Sequence, residues 1–392
     1  MSSTFGTLFR ITTFGESHGA GVGVLVDGMP PGFAVDADAI QRELDRRRPG
    51  QSALTTPRQE ADRVEIVSGV LDGVALGTPI LMLVRNTDAR SKDYGALKDV
   101  YRPGHADFVY EAKYGVRDHR GGGRSSGRET VGRVAAGALA RTALATLGVR
   151  IVGGTVRVGD VEATRRDWDQ VEANPVRCPD AEAAERMRTA IEQARDARDS
   201  IGGVVEVRAS GVPAGWGDPT MDKLDARLGA AMLSIPATKG VEIGGGFEMA
   251  RRRGSETNDV FDGERYASNF AGGIAGGISN GNEVVVRVAV RPATSIGQPQ
   301  VMARREGGTE TVTIEGRHDP CICPRVVPVA PVKLLHQVER LAVLQRLQQP
   351  PAERPGVVER RVEDVRVLRE HVLPVTHAVV GGARVEIGRA HV

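Results

Sequence analysis

The chain has 392 residues, 40% hydrophobic but only 4% aromatic, so a sizeable core is possible, built mainly from aliphatic side chains and alanine. A formal net charge of only +2 argues against nucleic acid as a partner, and three cysteines, Cys178, Cys321 and Cys323, are too few for a disulfide framework and lack zinc spacing. The N-terminus has no basic stretch followed by an apolar run, and no membrane-length apolar segment occurs, so a soluble cytoplasmic protein with reduced thiols and no membrane partner is expected.

Residues 21–27 (GVGVLVD) read as a short buried strand that ends in a Pro-Pro-Gly turn. Residues 36–48 read as a helix, capped by Asp36 or Asp38 and stopped by Pro49-Gly50. Short apolar runs punctuated by glycine between 64 and 84 predict strands. From Asn86 to Arg124 the chain is polar, Gly-rich and Arg-rich with little periodicity, and it reads as largely loop. A loop of that length inside a compact domain is usually functional.

Residues 128–147 carry the strongest helical pattern, with Val131, Val134, Ala135 and Leu139 on one face and Gly148 as the stop. A strand is predicted over 149–158, a charged helix over 180–199, a strand over 203–210 and a short helix over 221–233. Residues 283–290 (EVVVRVAV) alternate, which predicts a strand with one buried and one open face. Helices interleaved with strands imply an α/β or α+β fold.

Five segments can carry chemistry. Gly15-Glu16-Ser17-His18-Gly19 and Arg102-Pro103-Gly104-His105-Ala106-Asp107 each place a histidine in a glycine-flanked turn, where it can exchange a proton near neutral pH. Either alone reads more readily as a satisfied turn histidine. Two such histidines, among four before residue 320, are better explained by acid–base work than by two accidents. Gly121-Gly122-Gly123-Arg124-Ser125-Ser126-Gly127-Arg128-Glu129 leads straight into the best helix. It offers backbone N–H groups, hydroxyls and guanidiniums to an anion, without being a Walker loop or a dinucleotide fingerprint. An Arg/Gly-rich RNA-binding segment is the bland alternative, weakened by the absence of interleaved aromatics.

Arg46, Arg47, Arg48, Arg58, Arg102, Arg117, Arg120, Arg124 and Arg128 form the surrounding basic set. Most of these read as solvated surface when taken one at a time. A pocket for several phosphates and carboxylates nevertheless needs such a set. In Gly316-Arg317-His318-Asp319-Pro320, Asp319 can act as a base or an orienter and Arg317 as an anion contact.

FGESHG, RPGHAD, KYG-RD-RGGGRSS-RET-RVAAGA, KGVEIG, AGGI-GGIS-G and GRHDPC occur in this order. Together they resemble chorismate synthase, over about Gly6 to Pro328. The resemblance implies a β-α-β sandwich in one large catalytic domain, residues 1–328, assembled as a homotetramer. It implies a lyase that eliminates phosphate in trans-1,4 fashion from 5-enolpyruvylshikimate 3-phosphate to give chorismate. That reaction needs reduced FMN without net redox change, an external flavin reductant and NADPH as an indirect reductant. On the family pattern His105 serves the reduced flavin and His18 the leaving phosphate. Ser17 and Ser126 match proposed proton-relay serines, and Asp319 an aspartate associated with removal of the ring proton. Flavin-binding positions fall on Arg124, Ser125, Ser126, Ala237, Gly277, Arg291, Pro292, Ala293, Thr294, Ser295 and Arg317. Substrate or nucleotide contacts fall on Arg47, Arg48 and Arg128, and no metal is implied.

Three departures stand out. Ala53 replaces a basic residue, and Pro236 replaces an asparagine found in some members. Residues 329–392 do not follow the family into its apolar helix; they are rich in Arg and Val and hold His336, His371, His377 and His391. They read either as a frameshifted translation of a GC-rich gene or as a genuine extension, and sequencing the locus separates the two. The alternatives to the lyase are an inactive homologue, an FMN- or NADPH-dependent oxidoreductase and an Arg/Gly-rich RNA-binding protein.

Overall fold

The computed structural model describes residues 3–51, 54, 60–88, 95, 97–314 and 319–331. Two five-stranded antiparallel sheets form the frame. In spatial order the first contains Thr4–Phe5, Arg10–Gly15, Gly21–Asp27, Ile80–Arg85 and Val64–Ile66. The second contains Val161–Glu162, Arg150–Val158, Gly203–Ser210, Val284–Val290 and Thr238–Ile243. A small third sheet joins Thr309–Val312, Gln300–Arg304 and Val100–Tyr101.

Helix α1 (Ala37–Arg47) starts where Asp36 accepts the Ala39 N–H at 3.0 Å, and it buries Ile40 and Leu44, four residues apart on one face. A short helix, α2 (Asp107–Tyr114), lies in the segment predicted as loop and ends on left-handed Gly115. Helix α3 (Thr130–Ala145) is buried nearly all round because it packs against both sheets and α1. Small side chains permit that approach. A Cβ on Gly132 would stand 2.5 Å from the carbonyl oxygen of Gly23, so the helix rests almost directly on strand backbone. Helix α4 (Ala181–Asp196) covers Arg150–Val158 and Val161–Glu162, and α5 (Leu224–Leu233) covers Thr238–Ile243 and Val284–Val290.

Helices thus sit between and beside antiparallel sheets, a β-α-β sandwich of the α+β kind. One continuous apolar core runs from Phe9 through Val131 and Leu139 to Val286 and Val327. Predicted and observed elements agree at 21–27 and 203–210, and within three residues for α1, α3 and α4. In Val284–Val290 the expected one-sided burial is only partial. Val284, Val285 and Val286 are all buried, so both faces of the strand are covered at this end, and α5 packs against it.

Candidate active site

The Arg10–Gly15 and Gly21–Asp27 strands form a hairpin whose turn carries Ser17 and His18. Asn86 pins that turn, its Nδ2 donating to the carbonyls of Glu16 (2.9 Å) and Gly19 (2.8 Å). Ser17 is buried, with Oγ 3.1 Å from His18 Nδ1.

His105 enters just ahead of α2, and Asp107 lies in that helix's first turn. His105 Nδ1 is 3.0 Å from Asp107 Oδ1 and 3.0 Å from Arg102 Nη2, so it either donates to the carboxylate or accepts from the guanidinium. Both arrangements leave Nε2 outside this network. Arg102 grips Asp107 with Nε (2.7 Å) and Nη2 (2.8 Å), and Arg117 Nη1 lies 3.1 Å away. Burial would raise the Asp107 carboxyl, but the bonds from Arg102 and His105 outweigh it and hold the group well below the usual carboxylate range.

The two histidine turns meet at the triple glycine. Gly121, Gly122 and Gly123 all have left-handed φ, at +65°, +87° and +52°. A Cβ on Gly121 would stand 2.2 Å from His18 Cε1, and one on Gly122 would stand 2.8 Å from His105 Cε1. One on Gly123 would stand 2.5 Å from Glu16 Oε2. Three consecutive glycines therefore form a backplate for two imidazoles and a carboxyl that are remote in sequence. Arg124 follows, donating to Gly15 O (3.2 Å) and to Thr13 Oγ1 (2.6 Å).

A cavity of about 1020 Å³ opens beside this backplate. Of the residues singled out in the sequence, it brings together His105, Arg124, Ser125, Ala237, the run Arg291–Ser295, Asp319 and Arg47. The run docks on the His105 turn: Arg291 Nη2 donates to Gly104 O at 3.0 Å, and its backbone N–H to Ala237 O at 3.0 Å. Ala237 adopts a left-handed φ of +70°. Asp319 is ion-paired with Arg325, which makes it a held anion at the cavity wall.

Of the other candidates, His18 and Ser17 stand behind the cavity wall, against Gly121 of the backplate. Ser17, His18, Ser126, Arg128, Arg48 and Gly277 are not lining residues. Ser126 caps the turn before α3 by accepting the Arg128 N–H, and Gly277 packs against Asp218 O and Lys223. Arg48 is exposed and borders a smaller cavity of about 300 Å³. Arg317, with Ala53, Arg58, His318 and the four tail histidines, falls outside the described residues.

The expectation that single arginines are solvated surface is overturned at Arg47, Arg102 and Arg128, which are 2%, 6% and 3% exposed. Arg47 and Arg128 both grip Asp62; Arg47 also binds Thr130 Oγ1 (3.1 Å) and Gly127 O (2.8 Å), and Arg128 binds Asn86 Oδ1 (2.9 Å). Burial pushes the Arg47 guanidinium down to about 10, against the pull of Asp62. Their donors serve the protein, so neither offers the free fork expected of a ligand contact.

Sequence reasoning missed a chain of cavity groups. Thr13 Oγ1 donates to Glu129 (2.9 Å), Arg133 donates to Glu129 (2.8 Å) and to Ser234 Oγ (2.9 Å), and Glu16, Tyr110, Lys113 and Asp118 stand near them on the wall. The RET and RVAAGA motifs contain Glu129 and Arg133, but the link to Ser234 spans 101 residues and leaves no local mark. Among the described residues no cluster of His, Cys, Asp or Glu is arranged to hold a metal.

The chorismate synthase family model matches residues 9–340. A chorismate synthase of Chloroflexus aurantiacus is 55% identical over 350 residues, covering 88% of this chain and 96% of that protein. One of Methanosarcina mazei is 56% identical over 339 residues, covering 84% and 92%. A crystal structure of chorismate synthase superposes with a TM-score of 0.67 at 32% identity, over 88% of this chain and 94% of the other. Six ordered motifs, the sandwich that folds their two histidine turns onto one glycine backplate, and likeness along almost the whole of these relatives have one explanation: the chain belongs to the chorismate synthase family.

Proposed function

We propose that this chain is a carbon–oxygen lyase that converts 5-enolpyruvylshikimate 3-phosphate to chorismate by trans-1,4 elimination of phosphate. The observation that carries this reading is the shared cavity that joins His105, the Gly122–Ser125 turn, Ala237 and Arg291–Ser295. Its volume is at the upper end for ligand pockets, enough for a substrate beside a flavin. The substrate carries two carboxylates and a phosphate, and FMN carries a further phosphate. Arg124, Arg133, Arg291, Arg325 and Lys113 supply positive charge around the wall.

The residues fit FMN at Ser125, at the Ala237 backbone and along Arg291–Ser295, all of which line the cavity. Reduced FMN supplies an electron-rich ring that stabilises charge developing on the allylic system. His105 holds and exchanges a proton at Nε2, with Nδ1 anchored on the Arg102–Asp107 pair. His18, backed by Ser17, protonates the departing phosphate. Asp319, held by Arg325, assists removal of the ring proton. The cationic wall steadies the leaving group as its C–O bond breaks. Arg317 and Ser126 complete the cofactor and relay sets in this reading.

By family likeness we place the activity in residues 1–328 of a cytoplasmic homotetramer served by an external flavin reductant, with NADPH as the indirect source. No described helix is long and apolar enough to cross a membrane. The test is anaerobic phosphate release and chorismate formation with chemically reduced FMN, for the full chain beside His18→Ala and His105→Ala. Turnover lost in both variants supports the assignment. A folded, FMN-binding chain without turnover would point to an inactive homologue, and absence of FMN binding would overturn the site.

A further inference from the structure

Arg133 contributes positive charge to the cavity wall, but its bonding gives it a more specific part. Glu129 closes the turn before α3 and Arg133 stands four residues on. A Glu–Arg pair of this spacing is ordinary on an exposed helix face, where it contributes little. This pair is not exposed. The Glu129 side chain is 6% exposed and that of Arg133 15%, and both residues line the cavity. Arg133 Nε donates to Glu129 Oε1 at 2.9 Å and to Oε2 at 2.8 Å. Its Nη1 donates to Ser234 Oγ at 2.9 Å, just past the end of α5. The guanidinium is thus held between two helices that are remote in sequence.

Each hydrogen bond around this pair runs in one direction. Ser234 Oγ gives its own hydrogen to Ala231 O at 2.6 Å, so towards Arg133 it can only accept. Thr13 Oγ1 accepts from Arg124 Nη2 at 2.6 Å and gives its hydrogen to Glu129 Oε1 at 2.9 Å. Glu129 therefore meets donors on both oxygens, and a carboxylate, which only accepts, suits that place. Arg124 does not depend on Glu129, because Gly15 O and Thr13 O also hold it, at 3.2 Å and 3.1 Å. Arg133 does depend on it: Glu129 and Ser234 are its only hydrogen-bond partners among the described residues, and its Nη2 bonds to none of them. Arg47 and Arg128 differ, since all three guanidinium nitrogens of each are bonded to protein groups. Arg133 is clamped at Nε and Nη1, and Nη2 is the atom left for a ligand.

We propose that Arg133 is a ligand-binding residue of this cavity, donating through Nη2 to an oxyanion, carboxylate or phosphate, of a bound molecule, and that Glu129 is the positioning residue that aims it. In the lyase reading the oxyanion belongs to the substrate or to FMN, and the inference rests on that reading for the identity of the two sources.

The test measures, on the full chain and its variants, the dissociation constants of 5-enolpyruvylshikimate 3-phosphate, of FMN and of riboflavin, which is FMN without its phosphate. Arg133→Gln should weaken one of the first two by roughly tenfold or more, the usual effect of losing a hydrogen bond to a charged group. A loss confined to the substrate assigns Arg133 to a substrate oxyanion. A loss for FMN with riboflavin unchanged assigns it to the flavin phosphate. Unchanged constants throughout, or equal losses for FMN and riboflavin with the substrate unaffected, would overturn the proposal. Glu129→Gln should move the same constant in the same direction. Added to Arg133→Gln it should change that constant by less than about twofold, because residues that act as a unit are not additive. Full additivity of the two substitutions would sink the positioning role. If Arg133→Gln does not fold, Arg133→Lys, which keeps a cation beside Glu129 but has no Nη2, decides in its place. Should the parent bind both ligands without turnover, the lyase reading has failed, while the three constants still decide this inference.

Discussion

Asp107 Oδ1 lies 3.0 Å from His105 Nδ1 and 2.8 Å from Arg102 Nη2, so one buried carboxylate aims both the imidazole and the guanidinium of the RPGHAD turn. Asp107→Asn replaces one of its two oxygens with a donor and removes the charge that Arg102 and Arg117 neutralise. Since a positioned general acid or base contributes about 10²–10⁴-fold, loss of its anchor should lower kcat by roughly 10- to 100-fold, with the FMN dissociation constant moving much less. Arg102 would be left buried without its anion, so the unfolding midpoint should fall as well. Steady-state kinetics at a temperature well below that midpoint, with FMN titration on the same preparation, checks both statements.

The glycine backplate can be tested without touching either histidine. Gly122→Ala forces an L side chain into a φ of +87° and places its methyl 2.8 Å from both His105 Cε1 and Ser125 Oγ. The backbone cost is about 1–2 kcal/mol, and the imidazole must turn to accommodate the methyl. Turnover should drop by at least tenfold. Gly127→Ala is the control, because Gly127 has open space at its Cβ position and no left-handed φ; it should stay within about twofold of the parent, on the norm for substitutions that disturb no special feature.

Asp62 joins the two arginines that local composition suggested for ligand contacts. It is ion-paired to Arg47 at 3.0 Å and to Arg128, and its side chain is fully buried. Asp62→Asn keeps the shape, and asparagine tolerates the native φ of +47°. It nevertheless leaves two buried guanidiniums short of their anion, with Glu60 at 3.7 Å from Arg128 as the nearest remaining carboxylate. Breaking such a site costs about 3–5 kcal/mol. Urea denaturation should show that loss, and KM should shift little relative to it. A tenfold rise in KM with unchanged stability would mean these arginines bind ligand after all.

The elements that sequence periodicity locates well are those whose burial is one-sided and local. Ile40 and Leu44 mark α1, Asp36 and Asp180 mark two helix starts, and the valines of 203–210 mark a strand. Helix α2 escaped because only Asp107 in it is buried; Phe108 and Val109 are exposed, so it has no apolar stripe to detect. The buried arginines escaped for a different reason. Whether a guanidinium is surface or core depends on its anion, and Asp62 lies 66 residues from Arg128 and 15 from Arg47. Likewise the motifs named His18 and His105, but only the fold shows that both rest on adjacent glycines.

Asp180 supplies a prediction about pH that is independent of catalysis. One of its oxygens caps α4 by accepting the N–H groups of Glu182 and Ala183, both at 3.1 Å. The other accepts from Thr164 N (3.0 Å), Thr164 Oγ1 (3.1 Å) and Arg165 N (3.1 Å). Burial favours the neutral acid, but these backbone and hydroxyl donors outweigh it and hold the carboxyl far below its ordinary value. A depressed folded-state pKa means the stabilisation is complete above the unfolded value, about 3.9, and is lost as pH falls further toward the folded one. Asp180→Asn turns one acceptor oxygen into an amide that cannot accept, so donors on Thr164 and Arg165 or on the first turn of α4 go unsatisfied. The variant should be less stable than the parent by about 1–3 kcal/mol at pH 7. As pH drops below about 4 the parent's unfolded chain takes up a proton that its folded form still excludes, so the parent loses this advantage and the two denaturation curves should converge. A gap that stayed constant from pH 7 to pH 3 would show that shape at residue 180 matters and its ionisation does not.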